Sequence, residues 1–172
     1  FPHAPLGAPQ WFSREERVAR FGEWRLTWEP GSRFEYHATS AHWVLAEILH
    51  RRGGSDYQTF IRERITGPMG LPELYIGCPA EQQHRVADIE YVGEIVAPPQ
   101  GWGEVTPEAV LRFNQPHVRA AGVPGGGACA TAATMALFYQ TLINGGETAD
   151  GRRVMKPETV AFGTRVRSKP HH

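Results

Sequence analysis

The chain has 172 residues, 41% hydrophobic and 21% charged, enough for one sizeable core and for one domain or one lobe of a larger one. Lys plus Arg and Asp plus Glu number 18 each. The resulting zero formal charge removes the broad positive field of a nonspecific nucleic-acid binder and argues against nucleic acid as a partner. No apolar run reaches the ~18 residues of a membrane-spanning helix, so no membrane partner is expected either.

The opening FPHAPLGAPQWF mixes three prolines with three aromatic residues and predicts an extended surface segment anchored by its rings. Ser13 with Glu16 has the spacing of a capping box and starts a helix whose apolar stripe is Val18 and Phe21. In EWRLTWEPGSRFEY, Trp24, Leu26 and Trp28 alternate, Pro30-Gly31 turns the chain, and Phe34 and Tyr36 resume the alternation. That pattern predicts a strand or extended run leading into a turn.

From Thr39 or Ser40 the period changes. Trp43, Val44, Ala46, Ile48 and Leu49 share a helical face that Gly53-Gly54 closes. Ser55 with Gln58 predicts a second cap, Tyr57, Phe60, Ile61 and Ile65 its stripe, and Gly67-Pro68 its end, so that the two helices form a hairpin. LPELYIG reads as one short strand, RVADIEYVGEIV as strand or coil, and APPQGWGEV as a loop.

Thr106-Pro107-Glu108 supplies cap, N1 proline and first-turn acid for a short helix. AAGVPGGGACA is a loop whose consecutive glycines let backbone pass where side chains would clash. Thr131 then caps a helix with Met135, Phe138, Tyr139, Leu142 and Ile143 on one apolar face and Gly145-Gly146 at its end. Asp150-Gly151 predicts a tight turn and Pro157-Glu158 a last helical turn. The terminal His171-His172 reads as the start of an affinity tag and is set aside. The fold class expected from these elements is mainly α with a few short strands (α+β).

Cys78 and Cys129 lie far apart in sequence with no metal or disulfide-framework spacing and read as free thiols, which tilts an otherwise open compartment towards the cytoplasm. There is no G-x-S-x-G, H-E-x-x-H, phosphate loop or dinucleotide fingerprint, and His37 and His42 lack the spacing and the Cys partner of a zinc site. No metal and no cofactor is expected. Sixteen of the 18 cations are Arg, leaving Lys156 and Lys169 as the amines available for proton chemistry.

The stretch from Pro30-Gly31 through Tyr36, Gly54, Tyr57, Phe60, Ile65 and Pro68 to Leu71 resembles the serine β-lactamase-like family of class C β-lactamases, DD-peptidases and related esterases. In that family the segment runs from a Pro-Gly turn through the catalytic tyrosine into two helices. A second block, GVPGGGACATAATMALFYQTLINGG followed by DGRRVMKPETV, is similar to the family's glycine-rich loop, capping Thr and following helix. Together the blocks cover roughly residues 24 to 160.

The resemblance implies the helical lobe of that fold, with residues 1–172 forming a single lobe. It assigns Tyr36 as the catalytic proton shuttle of the Y-x-N motif. His37, Ala38 and Ser40 stand where substrate would be met, with His37 and Ser40 offering the polar groups that Ala38 lacks. The usual Asn of the motif is Ala38 here; a methyl group cannot bond a substrate amide, which points to an esterase-like member. The family's S-x-x-K has no counterpart, since none of Ser13, Ser32, Ser40, Ser55 and Ser168 has a Lys three residues on, and no K-T-G or H-x-G triplet occurs.

The expectation is therefore a fragment of a serine hydrolase acting on a small-molecule ester or amide through an acyl-enzyme and inactive alone, because an unperturbed phenol with pKa about 10 is scarcely ionised at neutral pH without neighbouring cations. Its partner would be the rest of the hydrolase fold. The first residue, Phe1, is not a Met, which agrees with a piece of a longer polypeptide.

The residues also carry plainer readings. Read locally, Tyr36 suits an ordinary aromatic at a strand end, Trp24, Trp28 and Trp43 suit core packing, and Gly125 to Gly127 suit a bare turn ahead of an anion cradle. Arg51-Arg52 and the Arg62, Arg64 pair read as solvated helix faces, and His3, His50, His84 and His117 as surface or locally bonded residues. The competing function is a non-catalytic module that binds a partner or a second copy of itself through the face left uncovered.

Overall fold

The computed structural model describes residues 6–99, 101 and 105–166; the predictions for residues 1–5 with His3, for loop residues 100 and 102–104, and for Ser168, Lys169 and His171-His172 lie outside them. Eight helices carry the described chain: α1 (Ala8–Phe12), α2 (Arg14–Glu23), α3 (Ser40–Gly53), α4 (Tyr57–Ile61), α5 (Pro107–Leu111), α6 (Pro116–Ala121), α7 (Ala132–Ile143) and α8 (Pro157–Gly163). Two two-residue strands, β1 (Tyr75–Ile76) and β2 (Ala128–Cys129), pair antiparallel with Tyr75 facing Cys129 and Ile76 facing Ala128. The mainly α expectation holds.

Four of the eight helix starts among the described residues follow from side-chain caps. The hydroxyls of Ser13, Thr106 and Thr131 accept from the backbone N–H three residues on, at 3.2, 3.1 and 3.1 Å. The second helix of the hairpin starts one residue later than Ser55 predicts, because the Asp56 carboxylate takes the Thr59 N–H at 2.9 Å. It then widens into a π-helical turn over Arg62–Thr66, and Gly67 N–H closes it on the Arg62 carbonyl at 2.8 Å.

Four segments depart from the sequence pattern. The opening segment is not the extended surface segment expected, where it is described, since Ala8–Phe12 is helical and Leu6 enters the core. The alternating run from Trp24 to Trp28 joins no ladder; the turn after it forms, with Ser32 N–H on the Glu29 carbonyl at 3.1 Å. A 3-10 turn over Ala80–Arg85 and helix α6 arise where no periodicity signals them. Gln83 ties them together, its amide donating to the Pro116 carbonyl at 2.9 Å and to the Cys78 carbonyl at 3.2 Å.

The core gathers Leu6, Trp43, Ala46, Val118 and Val123, with Trp11, Phe21, Trp24, Tyr57 and Phe113 packed around it. Trp43 of α3 is fully buried and meets Tyr57 of α4 edge to face at 5.8 Å, which fixes the hairpin. The Arg17 guanidinium of α2 lies 4.2 Å over the Trp43 ring and donates to the Gln10 carbonyl at 2.6 Å. Tyr57 donates its hydroxyl to the Ala121 carbonyl at 2.7 Å, joining the hairpin to the end of α6, and burial pushes its phenol up to about 12.

Helix α7 buries Thr134 and Thr141, while its apolar face is covered only in part: Tyr139 is 57% and Ile143 85% exposed among the described residues. No described helix is long and apolar enough to cross a membrane.

Candidate active site

Tyr36 lies in the irregular segment that runs from the Pro30-Gly31 turn into α3, and it is 76% exposed. The segment is held by local contacts. The Arg33 guanidinium stacks 4.2 Å over Trp28 and pairs with Glu35 at 3.1 Å, and the His37 ring places Nδ1 3.1 Å from the Glu35 carbonyl oxygen. These contacts brace the backbone on both sides of Tyr36.

The three residues named with Tyr36 are placed differently. His37 and Ala38 are half-buried beside it, whereas Ser40, the first residue of α3, is 3% exposed and belongs to the interior. The structure thus groups Tyr36, His37 and Ala38 at one surface and sets Ser40 beneath them. Lys156 stands at the N-cap of α8, its carbonyl accepting from Thr159 and Val160.

The glycine-rich loop comes up against this segment. A Cβ on Gly125 would stand 2.7 Å from His42 Nδ1 and 2.9 Å from the Ala38 carbonyl oxygen, and the residue adopts φ 89°. A Cβ on Gly126 would stand 3.0 Å from the Phe113 ring, and one on Gly127 would run into the Val123 backbone N. Gly125 and Gly127 are therefore needed for close approach, as the sequence predicts, while at Gly126 the Phe113 ring would only have to give slightly. His42 was not singled out as a site residue by its sequence, although it sits one turn into α3 directly after the Tyr36 segment. Its Nδ1 is buried with no hydrogen-bond partner among the described residues.

Two cavities flank the loop. One of about 520 Å³ is lined by His42, Leu45, Leu49, Tyr57, Ile76 and Gly125. The other, of about 480 Å³, is lined by Tyr75, Cys78, Phe113, Arg119, Gly127 and Cys129, among others. The wall of the second is pinned by Asn114, which exchanges two hydrogen bonds with the backbone of Ile89 at 2.7 and 2.9 Å, and by Arg119, which pairs with Asp88 at 2.6 Å. No group of three or more His, Cys, Asp or Glu side chains suited to a metal ion occurs among the described residues.

The chain is 28% identical over 177 residues to the Esterase/beta-lactamase LipL of Mycobacterium tuberculosis (strain ATCC 25618 / H37Rv), covering 89% of this chain and 38% of that protein. Among solved structures it is similar to EstA from Arthrobacter nitroguajacolicus Rue61a, with TM-score 0.73, 26% identity and coverage of 91% of this chain and 44% of that one. It is likewise similar to a penicillin-binding protein homolog from Caulobacter crescentus, with TM-score 0.74, 28% identity and coverage of 97% and 45%. The chain thus spans less than half the length of each of these relatives. A model of the Beta-lactamase family matches residues 1–170, and the chain belongs to that family.

Proposed function

We propose that this chain is the helical lobe of a longer serine hydrolase, esterase-like in preference, in which Tyr36 relays the proton between a nucleophilic serine and the leaving group. The reading is carried by one observation: the two blocks that resemble the family meet where Gly125 packs on Ala38 and His42, more than eighty positions away in sequence, beside the exposed Tyr36. The nucleophilic Ser, its Lys and the oxyanion donors come from polypeptide outside these 172 residues. An ester or amide carbonyl is attacked by that Ser to give an acyl-enzyme, which water then resolves.

Ala38 supports an ester over an amide substrate, because the position offers no side-chain hydrogen bond to a substrate N–H. His37, half-buried beside Tyr36, is the proposed polar group facing substrate, whereas Ser40 is buried at the start of α3 and drops out of that group. On its own the lobe has no nucleophile for Tyr36 to serve and is inactive. The partly covered face of α7 also suits the second reading, a module that binds a partner or its own copy.

The test compares the full-length protein with the 172-residue chain on p-nitrophenyl acetate and nitrocefin. Expected is turnover of the ester by the full-length protein, reduced about 10²–10⁴-fold in Tyr36→Phe, and none by the chain alone. Undiminished turnover in the full-length Tyr36→Phe protein overturns the role of Tyr36. Tyr36-dependent turnover by the 172 residues overturns the claim of inactivity. A full-length protein that turns over neither substrate while the chain associates in a concentration-dependent way supports the binding module.

A further inference from the structure

Cys78 and Cys129 are 51 positions apart, and the β1·β2 pair brings the segments that carry them together. Tyr75 faces Cys129 across the ladder. Two residues on, Gly77 takes φ 90°, which ends the alternation of the strand, and the Cys78 N–H donates to the Arg119 carbonyl at 2.8 Å instead of continuing along β2. Both cysteine side chains line the cavity beside this turn. The thiol of Cys78 is pushed up by its burial and then by the nearby Cys129 thiol.

The two thiols differ in access. Cys78 is 1% exposed, Cys129 is partly exposed, and both line the same cavity of about 480 Å³, which opens between β1 and the glycine-rich loop. A small oxidant entering that cavity meets Cys129 first, with Cys78 behind it as a resolving thiol. Both are free thiols in this structure.

We propose that Cys78 and Cys129 form a modification site, a paired dithiol that a hydroperoxide converts into an intramolecular disulfide stapling the glycine-rich segment to the end of β1. In the first step the Cys129 thiolate attacks the peroxide; an S–O bond forms, the O–O bond breaks, and the departing oxygen takes a proton to leave as water or alcohol. In the second, the Cys78 sulfur attacks the sulfenic sulfur of Cys129; the S–S bond forms, the S–O bond breaks, and hydroxide leaves with the Cys78 proton as water. Two thiols are oxidised and one peroxide is reduced, and a dithiol reductant reverses the change. The bridge closes a covalent ring through α5 and α6 and fixes the wall of the cavity next to Gly125 and the Tyr36 segment.

The test uses the full-length protein, treated with hydrogen peroxide, quenched with N-ethylmaleimide and mapped as peptides without reduction. Expected is one cross-linked peptide pair carrying Cys78 and Cys129, a loss of about 2 Da relative to the two free thiols, reversal by dithiothreitol, and a raised thermal midpoint in the oxidised form. In Cys78→Ser the reaction stops at a Cys129 sulfenic acid that dimedone captures, and in Cys129→Ser the buried Cys78 stays reduced. Recovery of both cysteines from the folded wild-type protein as separate alkylated or sulfinic residues overturns the proposal. So does a cross-link that appears only after unfolding in urea. Neither of these readouts depends on a variant folding.

Discussion

Gly125 lies directly against His42: a Cβ at that glycine would stand 2.7 Å from the ring Nδ1, and its φ of 89° is a conformation that side chains with a Cβ seldom adopt. The contact ties the glycine-rich loop to the first turn of α3 and, through the Ala38 carbonyl, to the Tyr36 segment. Gly125→Ala is expected to cost about 1–3 kcal/mol, read as a lower urea midpoint with an unchanged slope. An unchanged midpoint would show that the loop does not press on α3.

Glu47 of α3 carries the helix towards α2. Arg14 donates to it at 2.6 Å and Arg51 of its own helix at 2.6 Å. Burial raises its carboxyl, and the hydrogen bonds and charges of Arg14 and then Arg51 outweigh burial, holding it below the usual carboxylate range. A folded pKa below the unfolded value of about 4.3 contributes stability that is present above that pH and is lost as pH falls through the folded value. Glu47→Gln should lower stability at neutral pH by about 1.5 kcal/mol and flatten the acid limb of a stability–pH profile measured by denaturant unfolding.

The Trp43–Tyr57 contact should dominate hairpin stability. Trp43→Ala removes a fully buried ring along with its edge contact to Tyr57 and the cation–π contact from Arg17, with an expected loss of about 3–5 kcal/mol in equilibrium unfolding. Tyr57→Phe leaves the Ala121 and Gly122 carbonyls without their hydroxyl donor and should cost about 0.5–1.5 kcal/mol.

Since the Tyr57 phenol is pushed up to about 12, its contribution is complete below the unfolded value of about 10 and is lost as pH rises through the folded one. Ultraviolet titration of the wild type should show one tyrosine ionising last, and Tyr57→Phe should remove that step.

Helix α7 tests the lobe reading. Ile143→Ser should change the stability of the 172-residue chain by no more than about 0.5 kcal/mol, because the side chain is 85% exposed there. In the full-length protein the same change should cost about 1.5–3 kcal/mol if the rest of the fold covers that face. Equal small effects in both proteins would show that the face stays open.

Helix limits and caps were legible because they depend on groups a few residues apart. Ser13, Thr106 and Thr131 reach a backbone N–H three positions on, and Gly54 ends α3 whatever the remainder of the chain does. The one-residue error at α4 arose from two adjacent residues that both suit a cap, of which Asp56 makes the bond. Helix α6 has six residues and no full stripe, and it is defined by contacts with distant groups such as Tyr57 and Gln83. The Trp24 to Trp28 run has the alternation of a strand but no ladder partner among the described residues, and alternation without a partner leaves backbone donors to other uses.

Caps and stripes in the sequence alone specify α2 to α5, α7 and α8, the place of Tyr36 ahead of α3, and the loop that must be glycine. Only the tertiary structure decided that Gly125 meets His42 and Ala38, that Ser40 turns inside while Tyr36 stays exposed, and that Cys78 and Cys129 share one cavity wall. The reason is physical: caps and stripes are satisfied by hydrogen bonds and packing within a turn or two of the chain. The meeting of segments fifty to ninety residues apart is set by how the buried rings of Trp43, Tyr57 and Phe113 pack, and no local pattern encodes that.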